Sequence, residues 1–524
     1  MGAPGMAMND RRGVLRRRAW LSLLTVWILA VAAFLGARSA HLRMDWTDDH
    51  RYTLSATTRA VLGRLDAPLM IRAYVSEGLP QPYGHVRRFI RDMLDAYHEA
   101  GGDKVSFRMV DPAQSPDART TLMALNVPMV RVQVVEDDQA RVKQGYLALV
   151  LDYLDKQEVI PVVQSEQGFE YLLTSKIRKL IGKERPTIGV VEGFGATPLA
   201  DLHKFRQLVG EDYAPIAVDP SRAEIPDQVR VLIIAGVERE PDRAFRYRLE
   251  QFRLRGGGVW LLAGRAKAAL DQGIRVRALE ETAVKWAGED FGVAIDGGLV
   301  MDRQATRILV DQQQQGFMLR TAVDYPFLLR VTDLDKRHPI TRGLEGLSMP
   351  FASPVDWLEK PRGTVLARSS SMAAVQAGPP FDVDPLVSMK RRFAKATPRR
   401  SSLMLVYDGP LHAHLKAPKG IKAQGDKRDG RGRLLVSASP SLLEDAFMDG
   451  ENLLFVLNAL DWLSGNEELI ALRSRGATQH PLTPLDAPMR ALWKGVWMFL
   501  LPLFVVLFGL ARWRWLRKQR SAAA

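Results

Sequence analysis

Apolar positions divide the chain into uniform runs near its two ends and short periodic stretches between them. Residues 492–511 read LWKGVWMFLLPLFVVLFGLA, close to the ~20 residues that a bilayer-spanning helix needs. Lys494 lies near the start, where a long side chain snorkels to the interface. Pro502 is tolerated because membrane helices re-satisfy the freed carbonyl. Trp493, Trp497, Trp513 and Trp515 flank the run as an interfacial aromatic belt does. A core helix of a soluble protein rarely continues so far without a polar face. A second apolar run, residues 19–37, exceeds the ~7–15 residues of a signal-peptide core. Its length favours an uncleaved membrane helix over a cleaved signal, although Ala37, Ser39 and Ala40 offer a small-residue cleavage site.

Between these runs the period alternates between that of helix and strand. Ser55 is placed to cap a helix over Ala56–Leu65, and Leu69–Val75 alternates as a strand. Val86, Phe89, Ile90, Met93 and Tyr97 predict a helix over Pro82–Glu99, stopped by Gly101 and Gly102. Val105–Val110 reads as a strand and Ala118–Leu125 as a helix. Val130–Val135 and Tyr146–Tyr153 read as a hairpin about the acidic turn Glu136-Asp137-Asp138, and Phe169–Ile181 as a closing helix. That order predicts a small α/β sandwich of thioredoxin-like kind.

A second α/β domain is expected from Pro186. Thr187–Val191, Val229–Ala235 and Val259–Ala263 are apolar runs separated by helical segments around Asp201–Val209 and Asp242–Arg255. Strand, helix, strand in alternation implies parallel pairing. Ligands then sit at the carboxyl ends of the strands, which places the candidate pocket on Glu192, Gly193, Phe194 and Gly195, on Gly236 and Glu238, and on the 264–265 turn. Further on, Ala283–Phe291 reads as a helix and Thr364–Arg368, Leu403–Asp408 and Arg433–Ser437 as strands. Lys390–Arg400 is basic, 411–431 reads as a mobile insertion, and Asn452–Leu463 is a last amphipathic helix.

Charge adds topology. The net charge is +14. Residues 1–37 carry +4, five arginines against Asp10, and residues 491–524 carry +6, leaving +4 for 38–490. Basic flanks stay in the cytoplasm, so both termini are expected there, with about 450 residues on the far side of a bacterial inner membrane. The high pI is then a topology signal, and no nucleic-acid partner is expected.

Candidate chemistry is sparse. There is no cysteine, hence no disulfide, thiolate metal site or cysteine nucleophile. Gly193-Phe194-Gly195 follows a strand but lacks the third glycine of a dinucleotide loop. Neither a nucleotide-binding GxxxxGK[ST] nor a GxSxG elbow occurs. His412 and His414 share a face if extended, yet no metal and no cofactor is expected. The basic 390–400 run reads as a solvated loop rather than a lipid contact. A catalytic rival, a hydrolase or sugar-modifying enzyme of the cell envelope, would draw on Glu192, Asp302 and His338. A structural scaffold is the third reading.

Several stretches, in order along the chain, resemble the GldG-like family of auxiliary subunits of gliding-motility-type ABC transporters. They are RYTLSATTRAVLGRLDAPLMIRAYVSEGLP, FEYLLTSKIRKLIGKERPTIGVVEGFG, HPITRGL, TVLARSS, and GRLLVSASPSLLEDAFMDGENLLFVLNALDWLSGNEELIALRSR. The resemblance implies a non-enzymatic periplasmic subunit working with a separate ATPase and permease. Phe194 offers a face on which a sugar or peptide can stack, so the expected ligand is a sugar or peptide of the cell envelope. The second domain also resembles the class I glutamine amidotransferase fold. Active members of that fold need a cysteine, so here it implies a binding module. The expected organisation is a basic segment 1–18, a membrane helix 19–37, a thioredoxin-like domain 38–183 and an amidotransferase- or flavodoxin-like domain 184–475. A linker 476–491, a membrane helix 492–511 and a basic tail 512–524 follow.

Overall fold

The computed structural model describes residues 27–28, 53–80, 83–136, 139–163, 166, 168–182, 185–270, 273–314, 317–359, 363–421, 426–448, 450–467, 470, 473 and 487–521. The expected N-terminal span lies outside these, apart from Trp27 and Ile28. The chain forms two compact units, 1–477 and 478–524.

The first unit is mixed α/β. It begins with α1 (Ala56–Gly63), whose cap Ser55 accepts a hydrogen bond from the Thr58 N–H at 3.1 Å. Next come β1 (Leu69–Val75), α2 (Val86–Gly101), β2 (Val105–Val110) and α3 (Pro116–Ala124). They are followed by β3 (Val130–Glu136), β4 (Gln139–Gly145), β5 (Leu147–Tyr153), β6 (Lys156–Ile160) and α4 (Phe169–Ile181). The sheet order is β2-β1-β5-β6, with β1 and β2 parallel and the other pairs antiparallel. The five apolar residues read onto α2 are all buried, as one apolar helical stripe dictates.

The expected hairpin is corrected here. Val130–Glu136 pairs with Gln139–Gly145 in a separate two-stranded ribbon, and β5 pairs with β1 instead. The reason is polarity. QARVKQG has no apolar face to bury, whereas LALVLDY is buried on both sides and takes a central position.

The larger part of the unit starts with β7 (Thr187–Val191), α5 (His203–Val209), β8 (Ala214–Val218), β9 (Val229–Ala235), α6 (Arg243–Leu254) and β10 (Gly258–Leu262). A short ribbon of β11 (Ala266–Ala269) and β12 (Arg275–Ala278) leads to α7 (Glu281–Phe291). Then come β13 (Val293–Ile295), β14 (Gly298–Met301), and a long hairpin of β15 (Ala305–Gln314) and β16 (Phe317–Val331). The remaining elements are β17 (Asp333–Leu334), β18 (Leu347–Pro350), β19 (Val355–Trp357), β20 (Thr364–Arg368), β21 (Ala374–Ala377), α8 (Met389–Phe393), β22 (Ser402–His412), β23 (Asp429–Ser437) and α9 (Glu451–Leu463). An eight-stranded sheet runs β17-β20-β22-β23-β10-β9-β7-β8. Its β23-to-β8 half is parallel and its other half antiparallel. The fully buried strands TIGVV and GVWLL are what a parallel sheet covered on both faces requires.

Two further expectations change. The insertion read over 411–431 is shorter, because the β22–β23 ladder continues to Leu411↔Gly430 and His412↔Asp429. Its described residues are also anchored. The Glu250 carboxylate accepts the His414 N–H at 2.8 Å, and the Tyr247 hydroxyl donates to Asp426 at 2.5 Å. In the basic 390–400 run, Arg392 donates to the Asp382 carbonyl and lies over the Phe327 ring, and Arg399 and Arg400 pair with Asp296 and Asp333.

In the second unit α10 (Ala487–Ser521) is one continuous helix containing Pro502. Residues Pro488–Arg514 are long and apolar enough to cross a membrane, and none of the apolar stretch is buried against protein. The helix extends the expected 492–511 at both ends. It takes in part of the presumed linker and most of the basic tail, because the arginines there are good helix formers.

Candidate functional site

The parallel strands β7, β9 and β10 end at Val191, Ala235 and Leu262, and the turns that follow are tied together. The Gly236 N–H donates to the Leu262 carbonyl at 3.0 Å, and the Thr197 N–H to the Ala235 carbonyl at 2.8 Å. The Phe194 carbonyl accepts from the Glu238 and Arg239 N–H groups at 2.9 and 3.3 Å. The residues read from sequence thus form one layer over the strand ends, from Glu192 to Gly195 and from Gly236 to Glu238.

The backbone of that layer is unusual. Gly193, Phe194 and Gly195 have φ of 104°, 50° and 80°. Glycine reaches this region freely, but for a bulky side chain it is an outlier held by its surroundings. Phe194 is held by its ring, which packs edge-to-face on Phe245 at 5.5 Å. Phe245 in turn meets Trp286 at 6.1 Å. Phe194 is therefore a packing residue of the larger sheet before it is a stacking platform. It packs on α6, not on the smaller sheet.

Charge at the site comes from residues the sequence reading missed. Lys267 donates from Nζ to the Gly195 carbonyl at 3.1 Å and lies 3.7 Å from Glu238. Arg277 donates to both oxygens of Glu238 at 3.1 Å. Lys267 and Arg277 stand on the β11–β12 ribbon, whose four-residue strands carry no periodic signal. Glu444 is largely buried, and burial pushes its carboxyl above the usual range while Ser441 and Lys267 pull it down. Three buried polar atoms here have no hydrogen-bond partner: Thr197 Oγ1, Arg265 Nε and Glu444 Oε1. Orphaned buried polar groups are costly and mark places that a ligand or water satisfies. The Glu192 side chain forms no hydrogen bond or ion pair among the described residues.

The residues of the catalytic rival are not assembled. Asp302 accepts from the Ser370 N–H and hydroxyl at 2.8 and 2.6 Å. His338 lies edge-on to Trp462 at 5.2 Å and accepts from the Ile340 N–H at 3.2 Å. His412 and His414 line one pocket with Glu250 and Asp290 but pair with different carboxylates, Asp429 and Glu250, each at 2.6 Å. Among the described residues no group of three or more His, Asp or Glu side chains is placed to hold a metal.

Fold and site together define a mixed α/β protein with a polar layer over parallel strand ends and, among the described residues, an exposed apolar helix. Residues 185–465 match the auxiliary family described as "ABC-type uncharacterized transport system", more than half of the chain, and the chain belongs to that family. Residues 48–152 match a domain family described as of unknown function. An "Uncharacterized protein" of Borreliella burgdorferi is 20% identical over 326 residues, 61% of this chain. The chain spans 62% of the length of that curated relative. Among solved structures, the "mmIFT52 N-terminal domain" is 14% identical, with 53% of this chain and 97% of that chain covered at a TM-score of 0.33. PurLQS from Thermotoga maritima is 11% identical, with 53% and 100% covered at a TM-score of 0.26.

Proposed function

We propose that this protein is a non-catalytic auxiliary subunit of an ABC-type export or gliding-motility-like complex. Its α/β part lies outside the cytoplasm, two spans anchor it in the inner membrane, and a separate permease and ATPase are its partners. The observation that carries the reading is the family match over 185–465 in a chain that also holds the apolar helix Ala487–Ser521. The order β2-β1-β5-β6 supports a thioredoxin-like first domain. The parallel half of the larger sheet supports an amidotransferase- or flavodoxin-like second domain that, without cysteine, binds rather than reacts. In this reading Glu192, Gly193, Phe194, Gly195, Gly236 and Glu238 frame a pocket for a sugar or peptide of the cell envelope. Lys267 and the orphaned atoms at Thr197, Arg265 and Glu444 supply its polar contacts.

The test is purification in mild detergent from the native membrane. A multi-span permease and an ATPase should be recovered in stoichiometric amount. Recovery of the chain alone as a monodisperse species would overturn the reading.

A further inference from the structure

A cleft of about 520 Å³ opens where β6 and α4 face the start of β7 and the 210–213 turn. That volume is within the range of small-molecule sites, roughly 300–1,000 Å³. Its walls carry Lys156, Glu158, Arg178, Lys179, Arg185 and Asp212. Most of these charges are already engaged. Glu158 is paired with Lys179 at 2.6 Å and with Lys176 at 3.3 Å. Lys156 donates to the Gly182 and Leu180 carbonyls at 3.0 and 3.4 Å, capping the C-terminal end of α4 as a cation does. Arg185 donates to the Gly210 carbonyl at the end of α5.

Two charges are left. Arg178 and Asp212 are both half-buried. Among the described residues neither side chain forms a hydrogen bond or an ion pair, with each other or with anything else. Arg178 lies near enough to the buried Asp461 carboxylate to stabilise it, and Asp212 acts on the Tyr171 hydroxyl, but neither is hydrogen-bonded, so the donors of one and the acceptors of the other stay open to a ligand in the cleft. A ligand carrying both complementary charges engages both groups at once. We infer that the cleft binds a small zwitterion with a carboxylate and a protonated amine, an amino acid or short peptide. The planar guanidinium of Arg178 takes the carboxylate through two N–H donors. Asp212 accepts from the ammonium group. Leu180 and Pro186 provide an apolar wall for a small side chain. Because Arg178 belongs to α4 and Asp212 to the turn before β8, the ligand bridges the layers of the two sheets.

The inference stands independently of the transport reading, since binding is read on the isolated protein. The experiment is calorimetry on the full chain in detergent with alanine and alanyl-alanine. N-acetyl-alanyl-alanine and alanyl-alanine amide, which lack one charge each, are the comparators. At least one uncapped compound should bind, and each capped analogue should bind about tenfold more weakly or worse. Arg178→Gln should erase the preference over the amide but keep that over the N-acetyl form, and Asp212→Asn should do the reverse. No binding by either uncapped compound, or capped analogues that bind as well, would overturn the proposal. The analogue series on the unaltered protein decides the matter even if a variant fails to fold.

Discussion

The guanidinium of Arg473 lies over the ring of Tyr171, 4.6 Å from its centre, and donates to the Tyr171 hydroxyl at 2.7 Å. Tyr171 stands on α4 beside the smaller sheet. The same guanidinium donates to Asp461 and Asn458 of α9 at 2.7 and 2.8 Å, and the Tyr213 hydroxyl also donates to Asp461. Burial pushes the Asp461 carboxyl up, and Arg473 with Tyr213 pulls it back. One buried cation therefore fastens helices of both α/β layers.

Arg473→Ala should be among the most damaging single changes. It leaves Asp461, whose side chain is 1% exposed, without its cation, a loss of about 3–5 kcal/mol. The double variant Arg473→Ala with Asp461→Asn should recover a large part of it. Urea unfolding of the four proteins in the cycle gives the numbers.

His338 makes stability depend on pH. Burial against Trp462 lowers its pKa from 6.5 to about 4, with Arg433 and Arg342 adding to the lowering and Asp335 and Asp408 opposing it. Between those two values the unfolded chain binds a proton that the folded one refuses, so stability falls as pH drops through that window. His338→Phe should flatten the melting temperature between pH 6.5 and 4 while leaving the steeper loss at lower pH, where Asp335 protonates. An unchanged profile would exclude His338 as the source.

Glu192 and Phe194 should separate in mutation. Glu192→Ala touches no described side-chain partner and should move stability by less than about 0.5 kcal/mol. Phe194→Ala removes the contact with Phe245, and because the ring is only partly buried it should cost about 1–3 kcal/mol rather than the ~3–5 of a fully buried phenylalanine. If the pocket is functional, Glu192→Ala abolishes transporter-dependent function in a stable, assembled protein. Full function in that variant would remove this carboxylate from the site.

Gly195→Ala is the complementary change. The residue has φ of 80°, and an added Cβ would come within 2.7 Å of the Glu238 side chain. Left-handed strain of about 1–2 kcal/mol is expected, and Glu238 must leave Arg277 or Lys267. A thermal melt reads the first effect. A parallel melt of Glu238→Gly, which removes the Cβ, Cγ and Cδ that the new methyl would meet, should reduce the cost of adding Gly195→Ala.

Topology is testable with fusions. A reporter active only in the periplasm should be silent at residue 524 and active when inserted between residues 416 and 421 of the β22–β23 connection. The reverse pattern would sink the orientation.

What the sequence displayed depended on how each segment is buried. VRVLIIA and LMIRAYV are flanked by turn residues and packed on at least one face, so their apolar character alone marks them as strands. Ala214–Val218 escaped because APIAV is half-exposed and contains a proline. The β15–β16 hairpin escaped because Asp311, Gln312, Gln313 and Gln314 interrupt its alternation. At the site, Gly193 and Gly236 were legible through their position after strands. Lys267, Arg277 and Glu444 were not, since only tertiary folding brings them to the Gly195 and Glu238 turns.

The ends of the eight-stranded sheet govern how copies of this chain can meet. One edge is β17, only Asp333 and Leu334, and the other is β8, whose Pro215 offers no N–H. Short or proline-bearing edges refuse a further strand. When many copies crowd side by side, both edges therefore oppose extension of this sheet from one molecule into the next, which leaves helices and loops as the favoured contacts for self-association.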